Sequence, residues 1–255
     1  MTIHIPTLAP EPIFTLGSVV ITNTLINTWL AIGILLVFGI VLSRRLRLKP
    51  GKLQNASEFF LESLIGYFDQ VTNSREKTRR FLPIVGSVFI FILLSNWLGL
   101  LPGTGSILSG HAPILRPANT DLNLTVAMAL LSVIASHLFG LTTIGIFSHI
   151  GKFLPFHKII SSFRHGPIAV FTALIELLVG VIEAVGEVAK VLSLSLRLFG
   201  NVFAGEVLLS VMSALVGLLV PAPFMLLEIL VGLIQAAVFS MLTLVYLTVA
   251  TTEAH

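Results

Sequence analysis

Three stretches with no Lys, Arg, Asp or Glu constrain this chain more than anything else in it: residues 19–42, 81–101 and 122–150. Each is long enough to cross about 30 Å of hydrocarbon as an α-helix, a distance that takes about 20 residues. The first stops abruptly at Arg44, Arg45, Arg47 and Lys49, the second at Pro102 and Gly103, and the third just before Lys152. Runs of this kind satisfy their own backbone as helices in lipid and leave no polar face for water.

Composition agrees. Charged residues make up 11% of the chain and mean hydropathy is +1.00, whereas soluble domains carry roughly 25% charged residues. A net charge of +3 does not point to nucleic acid, because the basic residues sit in loops between apolar runs without interleaved aromatics. The absence of cysteine excludes disulfides, thiol catalysis and zinc-thiolate sites. The first 24 residues hold no Lys or Arg, so the first apolar run lacks the basic leader of a cleaved signal and is expected to be retained.

Residues 53–72 differ. Leu53, Ala56, Phe60, Leu64, Phe68 and Val71 recur every three or four positions, while Glu58, Glu62 and Asp69 interrupt them. That period predicts an amphipathic helix on a membrane surface or a partner, followed by a solvated, charged stretch from Thr72 to Arg80. Residues 44–80 hold nine Lys and Arg and residues 151–165 hold three, while the 102–121 loop holds only Arg116. Basic loops stay in the cytoplasm, so the N-terminus is expected outside and both basic loops in the cytoplasm.

Residues 166–220 contain no proline after Pro167. As one helix they would extend roughly 80 Å, so they form either two spans or one strongly tilted helix. Pro221 and Pro223 then suggest a turn before a last apolar helix at 224–250. Glu176, Glu183, Lys190 and Arg197 fall seven apart, with Glu187 and Asn201 four beyond two of them. Such spacing puts them near one helical face, and ionisable groups in a membrane face a protein interior, a wet cavity or a partner. Glu228 and Gln235 form a second stripe, with Tyr246 five turns beyond Glu228. Glu206, nine residues after Arg197, points the opposite way.

Most of these residues have an ordinary reading beside the functional one. Lys190 and Glu187 suit an intrahelical ion pair, Glu176 and Glu183 suit headgroup depth, Gln235 suits a bond between helices, and Tyr246 suits an interfacial anchor. Arg197 is harder to explain away. Its guanidinium does not deprotonate, and no Lys or Arg follows it to the chain end. Snorkelling to the interface is its ordinary reading; a partner carboxylate fits better, and since Glu206 faces away, that carboxylate is expected on another subunit.

The run from Ser193 through Leu194-Ser195-Leu196-Arg197-Leu198-Phe199-Gly200-Asn201 to Val202-Phe203-Ala204-Gly205-Glu206 resembles subunit a of the F-type ATP synthase. Ile234-Gln235-Ala236-Ala237-Val238-Phe239 through Tyr246-Leu247, Asn96-Trp97-Leu98-Gly99-Leu100-Leu101-Pro102, and Arg116-Pro117-Ala118-Asn119-Thr120-Asp121-Leu122-Asn123 resemble further blocks of that family, in order. The resemblance implies an all-α polytopic protein forming one membrane domain over residues 1–255, with about five membrane helices plus the surface helix. Residues 166–220 and 224–250 would form a long tilted hairpin against the c-subunit ring.

It further implies that Arg197 faces the rotor carboxylate, and that Glu206, Glu228, Gln235, Asn201, Ser193, Lys190 and Asp121 line two half-channels for H⁺ or Na⁺. Members of the family often carry a histidine at the position of Glu206 or Glu228; here both are glutamates. Partners would be the c-ring, the b-subunit peripheral stalk, the rest of the ATP synthase and the lipid bilayer, with no cofactor, metal or chemistry of its own. Ala204-Gly205-Glu206 resembles bacterial members, which implies a bacterial plasma membrane, an organellar energy-transducing membrane being the alternative. Two other classes fit less well. A secondary cation transporter with a midplane charge would show internal repeats. An intramembrane metalloenzyme would need more than His137, His149, His157 and His165, which include no His-Glu-x-x-His.

Overall fold

The computed structural model describes residues 7–17, 19–44, 46–101, 108–109, 112–146, 167–216 and 221–252. An antiparallel pair, β1 (Pro12–Leu16) and β2 (Val19–Thr22), leads into α1 (Asn23–Arg44). Then come α2 (Lys52–Thr72), α3 (Arg75–Gly99), a two-residue pair β3 (Leu108–Ser109) and β4 (Ala112–Pro113), and a 3₁₀ turn at Ala118–Thr120. α4 (Leu122–Ile144), α5 (Pro167–Val216) and α6 (Pro221–Ala250) complete the chain. It is an all-α polytopic membrane protein: α1, α3, α4 and α6 are each long and apolar enough to span a bilayer, and α5 and α6 pack as a helical hairpin.

Several boundaries move for local reasons. The first apolar run opens as a strand, because the β-branched sequence Val19-Val20-Ile21-Thr22 pairs with β1 across a turn in which Gly17 takes φ +64°. The segment expected to be solvated from Thr72 to Arg80 is mostly helix. Ser74 caps α3 by accepting from the Lys77 amide, so α3 begins at Arg75 and its first turns hold the charges. α4 ends at Ile144, where Gly145 takes φ +92°. Pro221 and Pro223 do not make a turn; both lie in the first turn of α6, where a missing N–H costs nothing. Lys152, Lys158, Arg164, His149, His157 and His165 lie outside the described residues.

α5 runs 50 residues without a break, about 75 Å. That is more than twice the thickness of about 30 Å of hydrocarbon. α6 is the hub, packed on α2, α3, α4 and α5. Phe68 of α2, Phe81, Val85 and Ile92 of α3, Leu194 and Leu198 of α5, and Phe239, Leu244 and Leu247 of α6 form the centre of one core. On α2, Leu64 and Phe68 join that core, whereas Leu53 and Phe60 stay exposed.

Two contacts lock α3 to α6. Asn96 Nδ2 donates to the Gly232 carbonyl at 3.2 Å, and Trp97 Nε1 donates to the Ile229 carbonyl at 3.2 Å. Asn119 Nδ2 in turn donates to Asn96 Oδ1 at 2.7 Å, tying down the 3₁₀ turn. α1 is held differently. Its buried residues are the polar Asn23, Thr24, Asn27 and Thr28, with Ala31, all in its first turns. Beyond them the helix presents apolar side chains outward.

Candidate functional site at the α5–α6 hairpin

As α5 advances, its partners recede along α6, as an antiparallel pair requires. Lys190 Nζ lies 5.0 Å from the Tyr246 ring centroid. Asn201 Nδ2 donates to Gln235 Oε1 at 2.7 Å. A Cβ at Gly205 would run into the Glu228 carboxylate, so glycine is what lets that side chain lie against α5. The stripes read from sequence on α5 and α6 thus meet along one seam. Gln235 is buried and its Nε2 has no partner among the described residues. Glu228 is buried as well, and no hydrogen bond or ion pair to it is formed among the described residues.

Arg197 projects from the exposed edge of this seam. Its Nη2 donates to Ser193 Oγ at 3.3 Å, one turn back, and that is its one hydrogen bond among the described residues. Leu192 and Leu196 beside it are more than half exposed. Built Cβ atoms at Gly186 and Gly200 would meet nothing within 4 Å, so the face around the guanidinium is open and low.

Glu206 turns away, as its nine-residue offset requires, and meets Arg116. Arg116 Nε lies 2.9 and 3.0 Å from the two carboxylate oxygens. Nη1 donates to the Ala9 carbonyl at 3.2 Å, Nη2 to the Thr7 carbonyl at 2.7 Å, and the guanidinium lies 6.0 Å from the Phe203 ring centroid. Asn27 Nδ2 donates to the Arg116 carbonyl at 2.8 Å. Arg116 is 2% exposed. Sequence reasoning counted it as a loop charge and missed its role; the available signal was its isolation as the single cation of that loop.

The other candidates are largely engaged in structure. Asp121 caps α4, accepting from the Asn123 amide at 2.8 Å and from Thr24 Oγ1 at 3.2 Å. Lys190 Nζ donates to Glu187 Oε1 at 2.6 Å, the intrahelical pair anticipated from their spacing. Glu187 Oε2 in turn lies 3.4 Å from His137 Nε2 of α4. No cluster of three His, Cys, Asp or Glu exists among the described residues. A fixed cation on an open face, beside buried polar groups that lead into the hairpin, can steer an ion and favour the ionised form of a carboxylic acid.

Known proteins resemble the chain over most of its length. The family described as ATP synthase A chain matches residues 25–248. The chain is similar to ATP synthase subunit a of Moorella thermoacetica, 35% identical over 93% of this chain and 94% of that protein. It is also similar to ATP synthase subunit a 3 of Pelobacter propionicus, 34% identical over 89% of this chain and 87% of its relative. Subunit a of Syntrophobacter fumaroxidans is 33% identical over 96% of this chain and 91% of that protein.

Proposed function

The chain belongs to the ATP synthase A chain family, and from that premise we propose that it is the ion-conducting stator of the membrane sector. In this reading Arg197 faces the carboxylate of each passing c subunit. The observation that carries it is the open placement of Arg197, a permanent cation on an exposed apolar helix face whose one hydrogen bond among the described residues is the 3.3 Å bond to Ser193. A charge so placed requires a counter-ion from outside the chain.

At about 4 Å and an effective dielectric near 20, a guanidinium favours a carboxylate's ionised form by about 4 kcal/mol. That is enough to release a bound H⁺ or Na⁺ from the rotor as it arrives. Once the rotor carboxylate is neutralised again it can turn into lipid, which a charged one cannot. The fixed cation also repels an ion moving directly between the two access paths. Gly186, Ser193, Gly200 and Ala204 keep the Arg197 face low, and small residues let a second helix approach closely.

One half-channel follows Glu206, Glu228, Gln235 and Asn201. Glu228 and Gln235 Nε2 supply buried polar groups without a hydrogen bond among the described residues, while Glu206, bound by Arg116, sets the local charge. Ser193 orients Arg197, and Lys190 with Glu187 borders the other half-channel. Asp121 closes the outer end as a helix cap. The subunit makes and breaks no bonds itself, and the b-subunit stalk and the remaining complex hold it still against the ring. The loop charges orient it with the N-terminus outside and the C-terminus in the cytoplasm of a bacterium.

The test is proximity. Cysteine at Leu196 should form disulfides with cysteines along the outer face of a c-subunit helix in the intact complex. Persistent absence of any such product across that helix would remove the stator assignment. Pumping by reconstituted complex with and without added Na⁺ then identifies the coupling ion.

A further inference from the structure

The segment joining α1 to α2 reads Arg44-Arg45-Leu46-Arg47-Leu48-Lys49-Pro50-Gly51-Lys52-Leu53, five cations alternating with leucines. The ion path uses none of it. Three of its leucines are uncovered: Leu46 is 62% exposed, Leu48 105% and Leu53 47%. Large apolar groups left bare among cations suit the membrane interface, where leucines enter the acyl region and basic side chains reach the phosphates.

The segment is nonetheless held in place. Gln54 is buried; its Oε1 accepts from the Arg47 amide at 3.0 Å, and its Nε2 donates to the Arg47 carbonyl at 3.1 Å. The same Nε2 donates to Glu58 Oε1 at 2.8 Å. This clasp fixes the Arg47 backbone while its guanidinium, like the Lys52 ammonium, makes no hydrogen bond or ion pair among the described residues. Beside the clasp lies a cavity of about 510 Å³ lined by Leu42, Arg47, Gly51, Lys52, Leu53 and Gln54. That volume falls within the roughly 300–1,000 Å³ of small-ligand sites.

We propose that this cavity binds the headgroup of an anionic phospholipid. Arg47 and Lys52 take the phosphodiester, and Leu42 and Leu53 take the glycerol and the first methylenes of a chain. α1 is apolar to its last turn and little buried, so its basic end marks the depth of the phosphates. Basic pockets at that depth recognise anionic lipids. A free phosphate would leave the leucine wall unused. Glu58 accepts from Gln54 and forms no ion pair with Arg47 or Lys52 among the described residues.

The experiment uses intact ATP synthase reconstituted in phosphatidylcholine vesicles containing spin-labelled phosphatidylglycerol or spin-labelled phosphatidylcholine. The wild type should immobilise phosphatidylglycerol several-fold more than phosphatidylcholine. Arg47→Gln with Lys52→Gln should bring that ratio down toward one, and Arg47→Lys with Lys52→Arg should largely preserve it. A control, Lys77→Gln with Arg79→Gln, makes the same change of charge on exposed residues outside the cavity and should leave the ratio intact. Arg47→Gln alone leaves the clasp, which uses only backbone groups of Arg47, so assembly should survive it, with selectivity reduced part-way. Equal loss in the control would mean a diffuse basic field and would overturn the site. An unchanged ratio in the double variant would overturn it too, and so would complete displacement by inorganic phosphate.

Discussion

Arg116 and Arg197 flank the same helix and receive opposite treatment. Arg116 is 2% exposed and directs its donors to Glu206 and to the carbonyls of Thr7 and Ala9. Arg197 stands on an exposed face with one 3.3 Å bond to a serine. The first is an ion pair completed within the chain, so its value lies in holding the N-terminal segment, the 3₁₀ turn and α5 together. The second has no carboxylate partner among the described residues, and under the proposed function its partner arrives on the rotor.

The sharpest way to break this comparison is to remove each guanidinium in turn. Arg197→Ala should abolish ATP-driven ion pumping in inverted vesicles while the membrane sector assembles in normal amounts, because among the described residues that side chain bonds only to Ser193, one turn back on its own helix. Surviving pumping would sink the stator reading. Arg116→Ala should do the reverse in kind. It removes the cation from a largely buried pair, at a cost of about 3–5 kcal/mol, and should cut the amount of assembled complex and its thermal stability. Adding Glu206→Gln should recover much of that stability, since breaking one partner of a buried pair costs more than removing both. If Arg116→Ala assembled normally, the two arginines would not differ as described.

A smaller effect tests the frame that carries Arg116. A Cβ at Gly99 would stand 2.6 Å from Pro117 Cγ and 3.1 Å from its Cα. Neither a proline ring nor backbone can yield cheaply, so Gly99→Ala should cost about 1–3 kcal/mol as overpacking. The loss should appear as a lower melting midpoint of the complex, with pumping per assembled complex nearly unchanged. A selective loss of pumping would instead place the Pro117 turn within the ion path.

The two arginines also show what the sequence could and could not convey. Arg197 was legible because its surroundings are apolar over many residues in both directions, and the seven-residue spacing fixed its side of the helix. The same arithmetic turned Glu206 away correctly. It could not say what Glu206 turns toward, because Arg116 lies 90 positions earlier and no local period reports a contact of that kind. Asn201 and Gln235 were on candidate stripes, yet their bond depends on the register of the hairpin, which only packing sets. Asp121 was grouped with the ion path by resemblance; its capping bond to Asn123 is a local role that the sequence Asp121-Leu122-Asn123 already permits. Helix ends moved wherever one side chain decided them, as Ser74 does for α3 and Gly145 for α4.

The smallest effect comes from an ion pair that contrasts with Arg116–Glu206 chiefly in exposure. Arg75 Nη1 lies 2.6 Å from Asp69 Oδ2, closer than Arg116 to Glu206, but its side chains are 48% and 28% exposed against 1% and 16%. Water screens the exposed pair, so distance should matter less than burial. The Thr78 side chain first, and Arg75 second, hold the Asp69 carboxyl below its ordinary value of 3.8. A carboxylate held low in the folded state contributes stability that is fully present above its unfolded value and disappears as pH falls through the folded one. Asp69→Asn should therefore lower the melting midpoint slightly at neutral pH, and the difference from wild type should vanish in acid below the ordinary carboxylate range. A deficit at neutral pH as large as that of Arg116→Ala would mean that burial is not what separates the two pairs.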